Sequence, residues 1–270
     1  PNNVITNGYF SLPVSITVEG ANILTRTLII FGQGALRAHP YAFKEVDAIE
    51  NKNVAAFDSA FFGHIGHVVR NGFRAVLLSL TRGWLVLPHR GGITGKYWRR
   101  LAWSSASFAL MSDIAMGTLG AQLKAKGKTT GRFADILAHM YLATACLRRF
   151  EDDGRRKEDE PYFVWSMEYC FANIQTAYNA LFSNFDGAGV GWLVRGPIAW
   201  WSAMNSIGTM PSDIVEAKVA ALMQKPGDQR DRLTAGIYLP KEKDEPVHHL
   251  EEAFLLSVQT DAVFGKVSKA

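Results

Sequence analysis

Phe133, Ile136, Leu137, Met140, Tyr141, Thr144 and Leu147 recur at the i, i+3, i+4, i+7, i+8 spacing. That period places them on one helical face and excludes a strand, whose faces alternate every second residue. The same period recurs along most of the chain. Ile23, Leu24, Leu28 and Phe31 predict a helix over about 22–36, ended at His39-Pro40 because the residue before proline avoids helical dihedrals. Phe57, Phe61, His64, Ile65, Val68, Gly72 and Val76 share one face of a helix over about 54–86, with Arg70 and Arg74 on another. Residues 96–126 predict a helix that is apolar on nearly every side from Leu101 to Leu123 and therefore buried. Pro161 suits the first turn of a helix reaching Asn184. Ser212 suits the cap of one reaching Lys225, and shorter helices follow Asp228 and surround His249. Residues 1–17, rich in Asn, Gly, Ser and Pro, read as loop or short extended structure, with 14–18 as the strand candidate. The expected fold class is all-α, an antiparallel helical bundle with additional shorter helices.

Composition narrows the function. With 48% hydrophobic and 20% charged residues the chain has a core and no signature of disorder. No apolar run approaches the roughly 18 residues of a spanning helix, so no transmembrane segment is expected. A net charge of +4 without a basic cluster gives no reason to expect a nucleic-acid partner. Two cysteines cannot build a disulfide framework; Cys146 and Cys170 sit in apolar helical patterns and read as small buried hydrophobes. The chain begins at Pro1 and carries no charge before Glu19, which reads as a processed chain or a fragment.

Several motifs fail on inspection. Gly91-Gly92-Ile93-Thr94-Gly95-Lys96 lacks the leading glycine of a phosphate loop and has Tyr97 where Ser or Thr should bind magnesium. Gly32-Gln33-Gly34 lacks the third glycine of a dinucleotide fingerprint. His64 and His67 lie on adjacent turns, but without a third ligand an ordinary core or interface role outweighs a metal, and no metal is expected. His248-His249 reads as a surface pair. Asp113 stands alone in a helix expected to be buried, which demands a partner; Arg148 or Arg149 is the expected one.

The segment from Ser15 to Arg26 is the most informative. It sets Glu19 between apolar residues and Gly20, at the junction where residues 1–17 give way to a helix. A carboxylate so placed suits a general base, and Gly20 lets a ligand approach the backbone. On physics alone, a helix-start Glu favoured by the dipole carries more weight. However, Val18-Glu19-Gly20-Ala21-Asn22, with Ile23-Leu24 and Arg26, resembles the base-bearing segment of acyl-CoA dehydrogenases. The run from Pro13 to Pro40 is closer still to the long bacterial form of fatty-acid β-oxidation, which has a C-terminal helical extension. Ala56-Phe57-Asp58, His64-Ile65-Gly66-His67, Leu80-Thr81-Arg82-Gly83, Leu110-Met111-Ser112-Asp113 and His249-Leu250-Glu251-Glu252-Ala253 extend the similarity over nearly the whole chain. Ala21 departs from the usual Thr, and Val18 from the usual aromatic.

The resemblance implies an FAD-dependent oxidation of long-chain acyl-CoA to trans-2-enoyl-CoA. Glu19 would take the α-proton while the β-hydrogen leaves as hydride to the flavin. It implies substrate contact at Gly20, cofactor contact at Asn22 and a structural role for Arg26. Residues 1–36 would close the catalytic domain and 37–270 would form the extension. The implied partners are long-chain acyl-CoA, the upstream part of the same enzyme, an electron-transfer acceptor and further copies in a homo-oligomer. The implied location is cytoplasmic, with a peripheral contact on the inner membrane. Pro197, Trp200, Trp201, Met204 and Ile207 share a helical face that suits either the core or such a contact. The competing reading is a non-catalytic helical interaction or membrane-docking module.

Overall fold

The computed structural model describes residues 4–238 and 240–267, and every regular element among them is helical. In chain order, α1 (Val4–Leu24) runs without a break into a π-helix (Thr25–Gln33) and α2 (Gly34–Ala38). Next come α3 (Ala42–Glu50), α4 (Val54–Leu80), α5 (Ile93–Leu119), a 3₁₀ turn (Gly120–Ala125), α6 (Gly127–Asp152) and α7 (Glu160–Ser183). The rest comprises α8 (Gly191–Leu193), a second π-helical turn (Val194–Ile198), α9 (Ala199–Met204), α10 (Asp213–Met223), α11 (Asp228–Leu233) and α12 (Pro246–Val267). The all-α expectation holds.

The chain divides into two units. Residues 22–212 form the bundle, in which α3 packs on α4, α4 on α5, α5 on α6 and α6 on α7. Short connections between such neighbours make them antiparallel. Phe31, Phe108 and Phe133 form one aromatic group of its core, with Phe31 stacked on Phe133 at 4.1 Å between ring centres. Tyr97, Phe150 and Phe163 form another, and the buried Tyr178 hydroxyl donates to the Ser104 carbonyl at 2.9 Å. On α6 the fully buried stripe is Phe133, Ile136, Met140, Ala143 and Leu147, while Leu137 and Tyr141 of the expected face lie at its exposed edge. Cys170 is buried, and that burial pushes its thiol up to about 12. The second unit joins residues 1–21 with 213–270. There, Arg230 of α11 grips Glu251 of α12 through two bonds of 2.8 and 2.7 Å and lies over the Phe254 ring.

The expected loop at residues 1–17 and strand at 14–18 are overturned from Val4 onward, since both are helical in α1 despite Pro13; Pro1 to Asn3 lie outside the described residues. Once residues 25–38 are fixed, each further residue adds one hydrogen bond without a new nucleation cost. Pro13 removes one donor from that ladder without ending it. Gly8–Ala38 is, among the described residues, the one helical stretch long and apolar enough to cross a membrane, with mean hydropathy 1.3. Its C-terminal part is engaged elsewhere, because Phe31 is buried in the bundle and Arg26 is paired with Asp135 of α6.

Candidate functional site

Glu19, Gly20 and Asn22 lie within one turn near the end of α1, and all three are exposed. Glu19 thus sits deep in a helix, not at the loop-to-helix junction its neighbours suggested. A Cβ built on Gly20 meets nothing within 4 Å, so the backbone there is open to a ligand.

Downstream, the same helix is seated in a socket on α6. Arg26 donates to both carboxylate oxygens of Asp135, at 2.6 and 2.5 Å. A Cβ on Gly131 would stand 2.8 Å from the Arg26 guanidinium, so this glycine makes the room that Arg26 fills. Thr130 Oγ1 donates to the Thr27 carbonyl at 2.5 Å, and Gly127 faces the Thr27 side chain. Magnitudes separate the two contributions. Phe31, fully withdrawn from water, contributes about 2–3 kcal/mol. The half-exposed ion pair contributes about 1 kcal/mol or less and chiefly fixes register. Sequence reasoning gave Arg26 a structural role but missed Asp135, Thr130 and Gly131. The readable signal was the small residues Gly127, Thr130 and Gly131 along one edge of α6.

The polar groups around Asp113 form a second cluster. Its partner is His39, with Nε2 3.1 Å from Oδ1, and this corrects the expected Arg148 or Arg149. Those arginines reach Glu151 and Asp152, and Asp153. His64 Nδ1 lies 2.8 Å from Glu45 Oε1, whereas His67 is engaged with Asn71 and Arg70. His64 and His67 therefore do not converge on one point. His39, His64 and Asp113 do, with their ligand atoms within 4.8 Å of one another. The tautomer argues against metal ligation. His39 Nδ1 accepts from the backbone amides of Ala42 and Tyr41 at 3.0 and 3.3 Å. The neutral ring must then carry its proton on Nε2, the atom a metal would need bare. Metal-bound histidines normally donate from the other nitrogen, the reverse of this arrangement. Burial, the largest cause, holds the His39 imidazole below its ordinary value; His64 and His67 add to this and Asp113 opposes it.

The expected surface pair at 248–249 is only half free: His248 Nδ1 faces the Pro240 carbonyl at 3.1 Å. The Trp-rich face also divides. Trp200 and Met204 are exposed, Ile207 is buried, and Trp201 donates from Nε1 to Ser79 Oγ at 2.7 Å.

A cavity against α3 and α4 and another between α4, α5 and α9 are lined by none of Glu19, Gly20 and Asn22. Exposed on a helix, these residues do not by themselves form the cradle that a flavin dinucleotide requires. Residues 36–270 match the family described as acyl-CoA dehydrogenase, C-terminal, bacterial type. No solved structure matches the chain.

Proposed function

Because the chain belongs to the bacterial-type acyl-CoA dehydrogenase C-terminal family, we propose that it is the C-terminal part of an FAD-dependent enzyme oxidising long-chain acyl-CoA to trans-2-enoyl-CoA. In this reading residues 1–36 end the catalytic domain and 37–270 form its helical extension. Glu19 is the base: one of its carboxylate oxygens takes the proton from the thioester α-carbon. Thioester α-protons are weak acids, so the base works only where the developing enolate oxygen is stabilised, and its own backbone N–H belongs to that role in the family. Gly20 lies along the substrate, and Asn22 meets the cofactor once the upstream part of the enzyme covers α1. The proposed partners are acyl-CoA, that upstream part, an electron acceptor and further copies of the enzyme.

The observation that carries this reading is the family match over residues 36–270, and the socket adds a fixed seat for the segment that follows Glu19. A helix bearing an exposed Glu-Gly-Ala-Asn turn is held seven residues on by Arg26 in a site on α6 shaped for it. In the intact enzyme, Glu19→Gln should lower acyl-CoA oxidation by about 10²–10⁴-fold, the usual loss for a general base, with the flavin spectrum unchanged. Near-normal turnover would overturn the assignment.

A second reading, a peripheral membrane contact made by the extension, has its own observation. No Asp or Glu occurs between Asp58 and Asp113 or between Asp186 and Asp213. These stretches hold the exposed Phe62, Val69, Phe73, Trp84, Leu87 and Trp200, and Arg70 and Arg74 with them in sequence. Apolar rings and cations without carboxylates suit an anionic bilayer surface.

A further inference from the structure

A cavity of about 330 Å³ lies within the bundle unit, between α4, α5, α7 and α9. Its walls are apolar, Val76, Leu110, Met111 and Phe182 among them, and no Asp, Glu, Lys, Arg or His lines it. Its polar groups are bonded in a way that leaves donors over. Tyr178 spends its hydroxyl proton on the Ser104 carbonyl. Asn205 Oδ1 accepts from Arg82 Nε at 2.7 Å, which leaves its amide nitrogen for the Ser79 carbonyl. Ser79 Oγ accepts from Trp201 Nε1 at 2.7 Å, and an indole nitrogen can only donate. Ser202 Oγ accepts from Gln175 Nε2 at 3.0 Å, an orientation set by the Ile207 amide, which donates to Gln175 Oε1 at 2.8 Å. Each of these bonds uses a serine lone pair and leaves the hydroxyl proton free. Ser107, also on the lining, bonds to no group of the chain. The cavity therefore presents three hydroxyl protons and no charge.

We propose that this cavity binds an uncharged alkyl carbonyl compound, a ketone or an ester, its oxygen accepting from the serine hydroxyls and its chain along the apolar walls. A carbonyl oxygen has two lone pairs and no proton, which complements a lining rich in unused donors. A charged head would lose its water to a site with no opposite charge to meet it. At about 30 Å³ for each small group, the share of one water in the liquid, the volume holds roughly ten non-hydrogen atoms. That is the size of a nine-carbon ketone. The proposal does not depend on the role of Glu19.

Isothermal titration calorimetry of the purified chain with 2-nonanone, nonanoate and nonylammonium tests this. 2-Nonanone is expected to bind saturably at one site, and the two charged amphiphiles at least about tenfold more weakly. The infrared carbonyl stretch of the bound ketone should lie below its position in hexane, the mark of an accepted hydrogen bond. Ser107→Leu fills the cavity and breaks no hydrogen bond of the chain, so it should abolish binding with the helical circular-dichroism signal intact. The comparison of ligands and the infrared measurement both use the unaltered chain and keep the test valid if that variant fails to fold. No binding of 2-nonanone, a carbonyl stretch at the hexane position, or full binding by Ser107→Leu would overturn the proposal. Nonanoate binding as tightly as the ketone would do so in favour of an anion drawn by Arg82.

Discussion

His39 shows how much one side chain can fix. Its Nδ1 accepts from the first amides of α3, which requires that nitrogen to be unprotonated, and its Nε2 lies 3.1 Å from Asp113. The sign of the pH effect follows from its lowered pKa. Between that value and about 6.5 the unfolded chain binds a proton that the folded chain refuses, so stability falls as pH falls through this window. Urea midpoints should therefore decrease from about pH 7.5 to 5.5, and less steeply in His39→Asn, where the amide oxygen can still serve the α3 amides. Equal slopes in both proteins would exclude His39 as the source. The sequence made Asp113 recognisable as a buried charge needing a partner, but not which one. Arg148 and Arg149 are nearer in the chain order of helices, yet they turn to neighbours one turn on. His39 precedes a proline outside any periodic run, so no pattern marks it.

Among the elements, those with strong periodicity were legible and those seated by tertiary contacts were not. The starts of α7 and α10 fall where Pro161 and Ser212 put them, within a residue or two. α1 was missed because Asn7, Gly8 and Pro13 outweigh propensity in a short window, whereas continuity with a docked segment decides the outcome. α9 was half legible: Trp200 and Trp201 were grouped, but they do different work. Trp201 ties α9 to the end of α4 through Ser79, and Asn205 adds a 2.7 Å bond to the Ser79 carbonyl. Trp200 is 64% exposed and makes no such contact. Trp200→Ser should therefore reduce binding to anionic vesicles while leaving the thermal midpoint nearly unchanged. Trp201→Phe should lower stability by about 1 kcal/mol, the net worth of a hydrogen bond. A large stability loss from Trp200→Ser with vesicle binding intact would rule out the membrane reading.

At the scale of the molecule, the helical class and the family could be read from the sequence, while the placement of Glu19 on an exposed helix could not. Apolar neighbours in sequence suggest a covered carboxylate, but on α1 Val14, Ile16 and Val18 are themselves exposed. Purified alone, the chain should give a strongly helical circular-dichroism spectrum and retain no stoichiometric flavin. A yellow preparation with the absorbance of bound flavin would show that these residues suffice to hold it.

The π-helix from Thr25 to Gln33 bears on every attempt to count faces along this segment. An α-helix advances about 100° per residue, and heptad or 3.6-residue counting assumes that the advance never changes. Bonding at i→i+5 widens the turn and delays the phase. Which side of the rod Arg26 occupies, reckoned back from the stacked ring of Phe31, is therefore not the side that ordinary wheel geometry assigns. The wide turn acts as a phase delay written into the backbone, and it sets where Arg26 meets Asp135 without changing any side chain of the segment.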